Sequence, residues 1–393
     1  TVHDSRPGEA RSTGALSLPG LLAVLALMLA ACSGSPNTRP ASAAAGDPHT
    51  ARITITNDRC VADRDSYDAG AITFAVSNVG ATGITEFELL SGERIVGEKE
   101  NLPPGFSGTF SLNLEPGTYQ MYCPGAVTAR VPLTITGTAT STPASDTRSL
   151  LDRGTAGYGT YVERQIGQLL AATRLLATTL RGTDLAAAQA AYAHARPYYE
   201  RIEPVAESFA GLDPTIDMRA DAAPASQLTG FHRIEYGLFG QRRLAGLATV
   251  GDSLVANVHK LQALTAGLAF QPAELANGAV ELLDEVSRSK ITGEEERYSH
   301  LDLLDFQANV EGSQQAYANL QPGLQRIDPA LTSTIAGAFE HVDQLLDRYR
   351  DTSDLSGFVR FSALTAPDKT ALAQAVQSVA EPLSRVASKV VGA

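Results

Sequence analysis

Two different spacings of apolar residues divide the chain. Between residues 51 and 137 they recur at every second position: Ile53 and Ile55, then Ile72, Phe74 and Val76, then Phe87 and Leu89, then Phe110, Leu112 and Leu114, then Val131, Leu133 and Ile135. A period of two turns one face of a strand toward a core. Turn residues separate the runs at Asn78-Val79-Gly80, Pro103-Pro104-Gly105 and Glu115-Pro116-Gly117. The pattern predicts an all-β antiparallel sandwich of roughly seven strands.

Residues 138–148 are Thr, Ser, Ala and Pro-rich and read as a linker. From 149 to 393 the spacing is helical and the composition turns to Ala, Leu, Gln and Glu. Breakers stand where helices should start or stop, at Pro214, Gly251, Pro272, Gly293 and Pro367. About eight helices with short connections predict an all-α domain built from bundles.

The helical part contains a repeat. Residues 191–204, AYAHARPYYERIEP, align without gaps on residues 316–329, AYANLQPGLQRIDP. Seven of these 14 positions are identical, and Glu203 faces Asp328. A duplicated four-helix bundle with pseudo-twofold symmetry is the expectation. The second repeat has Gln325 where the first has Glu200, and it lacks a His-x-x-Glu. One strong cation site in the first half and a weak or vestigial one in the second are therefore expected.

The candidate chemistry lies on this helical pattern. His232 and Glu235, three apart within Gly230-Phe231-His232-Arg233-Ile234-Glu235, share one helix face, and Phe231, Ile234, Leu238 and Phe239 can bury it. Upstream, Glu200, Glu203 and Glu207 at i, i+3 and i+7 form one stripe if the helix is continuous. Buried carboxylates and an imidazole need a partner for their charge, and a metal ion is the simplest.

The first 31 residues read as an address. Arg6 and Arg11 precede an apolar run from Leu16 to Ala31, short for a membrane span and promptly followed by polar residues. The run ends in Leu29-Ala30-Ala31-Cys32, which resembles a bacterial lipoprotein signal with Cys32 as the lipidated residue. Residues 32–50 then form a flexible tether. The formal charge of −12 argues against nucleic acid and suits a protein that handles cations. Two cysteines remain beyond Cys32, Cys60 and Cys123, and an oxidising compartment makes a disulfide the plain expectation.

Several long motifs, in order, resemble one family. They are residues 198–209, YYERIEPVAESF; 212–219, LDPTIDMR; 230–235, GFHRIE; 290–300, KITGEEERYSH; and 305–314, DFQANVEGSQ. They are similar to the imelysin-like domain of EfeO-type iron-uptake lipoproteins, and the similarity extends over the sandwich. The resemblance implies a cupredoxin-like N-terminal domain followed by the imelysin-like bundle. It also implies an extracytoplasmic, lipid-anchored protein that passes iron to a membrane iron permease, with a secreted haem peroxidase-like partner. Carried over by position, the family's metal site falls on Glu200, Glu203, Asp217 and His232, with Glu235 as a further ligand or as the group that orients His232. Three carboxylates and one imidazole form a hard donor set suited to iron, manganese or zinc.

The sandwich has no histidine between residues 51 and 137, so type 1 copper electron transfer is not expected. The family implies instead a modified site, on Cys60, Glu86 and Cys123, for copper or another cation; Gln120 stands where relatives can carry an acid. The competing reading is a Cys60–Cys123 disulfide. The family is also classed with zinc peptidases, but the chain has no His-Glu-x-x-His. Metal binding and delivery ranks first, zinc peptidase second, and ferrous oxidation in the sandwich third. Among the other histidines, His194 is near enough in sequence to Glu200 to support it, His300 sits near Asp302 and Asp305, and His259 and His341 are expected on the surface.

Overall fold

The computed structural model describes residues 47–138, 145–219, 223–288 and 290–393. The leader, Cys32, tether residues 32–46 and linker residues 139–144 lie outside the described residues.

Among the described residues nine strands make two facing sheets. They are β1 (Thr50–Ile55), β2 (Cys60–Ala62), β3 (Ser66–Asp68), β4 (Gly70–Asn78), β5 (Phe87–Ser91), β6 (Arg94–Lys99), β7 (Ser107–Leu114), β8 (Gly117–Tyr122) and β9 (Arg130–Thr136). One sheet runs β2-β1-β4-β7 and the other β3-β9-β8-β5-β6. The sheets are mixed, not purely antiparallel as expected: β1 pairs parallel with β4, and β3 parallel with β9. The cause is a crossing after β2. The chain joins the opposite sheet as β3 and returns as β4 on the free side of β1. Strands of three residues such as β2 and β3 leave no periodic trace, which is why about seven strands were legible.

The alternating apolar residues meet between the sheets. Ile53, Ile55, Ile72, Phe74, Val76, Phe87, Leu89, Phe110, Leu112, Leu114, Leu133 and Ile135 are all buried, while Val131 is half-buried. Phe74 and Phe110 oppose each other in register and stack with ring centroids 4.9 Å apart.

Eleven α-helices are described, seven of them long. The long ones are α1 (Asp146–Thr179), α2 (Leu185–Glu200), α6 (Ala248–Thr265), α7 (Pro272–Arg288), α8 (Asp302–Ile327), α9 (Pro329–Leu346) and α10 (Ala366–Leu383). The short ones are α3 (Glu203–Glu207), α4 (Asp213–Asp217), α5 (Gly230–Glu235) and α11 (Val386–Val390). Helices α7, α8, α9 and α10 pack in a closed four-membered ring of contacts. In the other half α1 packs on α2, α6 and α8, and the short helices α4 and α5 lie against α6. The repeat aligns α2 with α8. In the second half an acid and a proline then open the long α9; in the first they open only α3.

The sandwich rests on α7 through β6 and β7. Lys99 Nζ pairs with Glu281 (2.5 Å) and Asp284 (3.7 Å), Arg94 pairs with Glu274, and Asn277 donates to the Ser111 carbonyl (2.8 Å). The Ile95 amide donates to the Ser208 carbonyl just after α3 (2.9 Å). No described helix is long and apolar enough to cross a membrane.

Candidate metal centre

The site is built where the first repeat breaks its helices. Helix α2 ends at Glu200, and Ile202 leaves helical geometry (φ −121°, ψ 10°) before Glu203-Pro204 opens α3. Glu200, Glu203 and Glu207 are thus not one continuous stripe, contrary to expectation. The break lets Glu200 and Glu203 face the same interior point from two directions. Helix α4 delivers Asp217 at its last residue. Helix α5 starts at Gly230, whose φ of +54° and contact with the Ile216 carbonyl leave no room for a Cβ, which would lie 1.7 Å from that oxygen. That close approach brings His232 onto Asp217. A π-helical turn, Tyr236–Gly240, follows α5 directly.

The predicted residues Glu200, Glu203, Asp217 and His232 do converge, and all are buried. Ligand atoms of Glu200, Glu203, Asp217 and Glu295 lie within 4.8 Å of one another, as do those of Asp217, His232 and Glu295. His232 Nε2 faces Asp217 Oδ1 at 3.4 Å and Glu295 Oε1 at 3.6 Å, yet makes no hydrogen bond. Glu295 Oε2 is likewise buried and unbonded. Buried nitrogen and oxygen atoms left without a hydrogen bond are costly unless something bridges them, and a cation fits the carboxylates gathered here.

Glu235 points elsewhere. Its Oε1 accepts from the Tyr298 and Ser299 amides (2.7 and 2.8 Å), and its Oε2 meets His232 Nδ1 at 3.3 Å. Of the two expected roles, the geometry fits the one that orients His232 and leaves Nε2 facing the carboxylates.

Two cations thread the acids. Arg196, fully buried in α2, contacts Glu200, Asp217, Glu295, Glu296 and Asp305. Lys290 Nζ reaches both oxygens of Glu203 (2.5 and 2.6 Å) and Glu200 Oε2 (3.2 Å). Asn309 Nδ2 binds the same pair, at 2.9 Å to Glu200 Oε2 and 2.8 Å to Glu203 Oε2. Burial, then the neighbouring Glu200, push the Glu203 carboxyl well above the usual carboxylate range. Burial would also raise Glu295, but Lys290, His232 and Arg196 outweigh it and hold that carboxyl well below the range. Burial would depress His232, but Asp217 and the contacts to Glu235 and Glu295 outweigh it and push the imidazole well above its usual value. The cluster is thus a mixed-charge network with its acids aimed inward.

Glu295, Lys290, Arg196, Asp305 and Asn309 were not predicted as site residues. Arg196 belongs to the repeat, and the others fall inside motifs 290–300 and 305–314. The signal that could have found them is the Glu294-Glu295-Glu296 run beside Lys290, which is hard to bury without mutual neutralisation. The site also does not belong to the first half alone: Lys290, Glu295 and Asn309 come from the second.

The expected sulfur site is corrected. Cys60 and Cys123 are bonded to each other, with Cα atoms 6.1 Å apart, so neither offers a thiolate. Both are buried in the sandwich core, where β2 and the end of β8 meet. Among the described residues no candidate metal group includes Glu86. Glu86 instead flanks Glu88, which lies opposite Glu98 across β5 and β6. Burial, then Glu86, raise Glu88 to about 8.

The other histidines stand apart. His194 is exposed and packs edge-on against Tyr198 (centroids 5.5 Å apart), so it does not support Glu200 as expected. His300 has a left-handed backbone (φ +57°), and its carbonyl accepts from the Phe361 amide. His259 and His341 are exposed, as expected.

Comparison with known proteins agrees with this architecture. Residues 154–386 match the family model described as imelysin, and residues 21–131 match that of a cupredoxin-like domain. The iron uptake system component EfeO of Escherichia coli O157:H7 is 39% identical over 348 residues, which cover 87% of this chain and 92% of that protein. The proteins of the same name from Escherichia coli strain K12 and Shigella flexneri are 38% identical over the same shares. With a β-sandwich ahead of a helical domain and a carboxylate–histidine cluster within it, the chain belongs to the imelysin family and is of the EfeO type.

Proposed function

We propose that this chain is the iron-capturing component of an uptake system and is not a hydrolase. Iron is its cargo, held by Glu200, Glu203, Asp217 and His232, with Glu295 added to the set and Glu235 orienting the imidazole. The observation that carries this reading is the buried, unbonded Nε2 of His232 aimed at Asp217 and Glu295. The name of the relatives, iron uptake system component, supports the cargo. A set dominated by carboxylates also suits iron better than a thiophilic ion and would leave zinc a weak Lewis acid. In this reading Cys32 carries a lipid that keeps the protein outside the cytoplasmic membrane, next to a membrane iron permease that receives the ion. A secreted haem peroxidase-like protein is the further partner.

Titration of the mature chain with ferrous iron under anaerobic conditions, and with ferric citrate, tests this. Wild type takes up iron, and Glu203→Gln and His232→Ala each lose about a hundredfold in affinity. A wild type that binds neither form, or variants that bind like it, would overturn the assignment. Cleavage in a peptide library, lost in the same variants, would replace it with the peptidase reading.

A further inference from the structure

We propose that Lys290 is a built-in competitor of the cargo: its ammonium pairs with Glu200 and Glu203 and must be expelled when the ion enters. This rests on the iron site proposed above.

The geometry leaves the ion and the ammonium no way to share. Nζ donates to both oxygens of Glu203 and to Glu200 Oε2, so it covers the face of Glu203 that would ligate. A metal on either Glu203 oxygen at an ordinary distance of about 2.1 Å would lie within about 5 Å of Nζ. At 3% exposure little water can screen that repulsion. Asn309 also donates to Glu200 and Glu203, but it carries no charge to repel the ion.

Lys290, and not Arg196, is the cation able to leave. Arg196 sits mid-helix in α2 and is held by five acids, two of which, Glu296 and Asp305, lie outside the ligand set. Lys290 stands on the three-residue turn Lys290–Thr292 beyond α7, followed by Gly293 at φ +85°. Its charge rides on a flexible four-carbon stem and is a point, not a fixed fork. Swinging it away frees two carboxylates at once, and letting it back pushes the ion out. A carrier that must surrender its cargo gains a release device this way without a domain movement. His232, Asp217 and Glu295 then form the half of the site that Lys290 does not cover.

The test measures ferrous iron, with zinc as an air-stable probe, on the full mature chain. Lys290→Met is expected to bind at least tenfold tighter, mainly through slower dissociation, while Lys290→Arg, which keeps the charge, binds no tighter than wild type. In wild type, metal loading is expected to raise deuterium uptake in the peptide spanning 290–293. A Lys290→Met protein that binds equally or more weakly overturns the proposal while leaving the iron site intact. If that variant does not fold, wild-type deuterium uptake decides: a rise supports displacement, and no change rejects it. A wild type that binds no metal rejects both this inference and the site.

Discussion

The two repeats of the helical domain place the same backbone signal in opposite roles. Arg196 and Glu200 of the first repeat are fully buried and paired; the matching Gln321 and Gln325 of the second are half-buried and exposed. Tyr192 donates its hydroxyl to Glu296 (2.6 Å), whereas Tyr317 donates to the backbone carbonyl of Thr332 (2.7 Å). Glu203 faces the interior cluster, but Asp328 caps α9 by accepting from the Leu331 amide (3.0 Å). The residues beyond the shared proline account for the split. After Pro329 no further proline intervenes and the helix runs through Gly337, with Leu331, Ile335, Phe339 and Val342 burying one face of its 18 residues. After Pro204 come Gly211 and Pro214, so the chain advances in short helices whose ends aim acids inward. The site therefore depends less on acquiring acids than on breaking a helix where they occur.

The largest expected effect is on the buried network. Arg196→Leu leaves several buried acids without their cation and should cost about 3–5 kcal/mol in denaturant unfolding followed by the helical signal. Gln321→Leu, at the equivalent position, should stay within about 0.5 kcal/mol. Equal losses would mean that Arg196 matters only as volume, and the contrast between the repeats would collapse.

Next comes pH, where the two settings have opposite sign. Asp302, at the start of α8 beneath the network, is raised from 3.8 to about 7 by burial, against an opposing hydrogen bond from the Glu296 amide. The folded state therefore binds this proton more tightly than the unfolded chain. The stabilisation is fully present below about 3.8 and is lost as pH rises through about 7. At roughly 1.4 kcal/mol per pKa unit this is on the order of 2–4 kcal/mol. Asp302→Asn should flatten stability between pH 4 and 8 and raise it at the upper end. Asp328 runs the other way: its ion pair with Lys389 and the Leu331 amide hold its carboxyl below 3.8. Its contribution is present above that value and fades as pH falls. If Asp302→Asn left the slope unchanged, burial beneath the network would not be setting this titration.

Much of this contrast was legible in the sequence. Two periodicities separated sandwich from bundle, and Gln325 stands in the second repeat where the first has the acid Glu200. The His232–Glu235 spacing also put an imidazole on a buried face, where it meets Asp217 and Glu295. Three features were not readable. The strands β2 and β3 are too short to show a period, so the parallel pairings were missed. The break at Arg201–Ile202 carries no proline or glycine of its own, so Glu200, Glu203 and Glu207 read as one stripe. Lys290 and Glu295 stand nearly a hundred residues from Glu200, and only tertiary contact brings them there. The cysteines posed a choice between metal and disulfide that spacing alone could not settle.

The smallest effect tests whether the repeats are independent. Asp328→Ala removes the N-cap of α9 and should lower Tm by about 2–4 °C, the ordinary consequence of a lost cap in a domain of this size. Asp328→Asn keeps a capping oxygen and should recover most of that loss, because asparagine caps as well as aspartate. Lys389→Met separates the other contribution. Its ion pair with Asp328 (2.8 Å) is more than a quarter exposed on the lysine side and should contribute little. None of the three should change metal affinity, since Asp328 lies outside every candidate metal group among the described residues. Weaker metal binding in Asp328→Ala would show that α9 transmits strain through α8 to Asn309. The second repeat would then be part of the binding device as well as its scaffold.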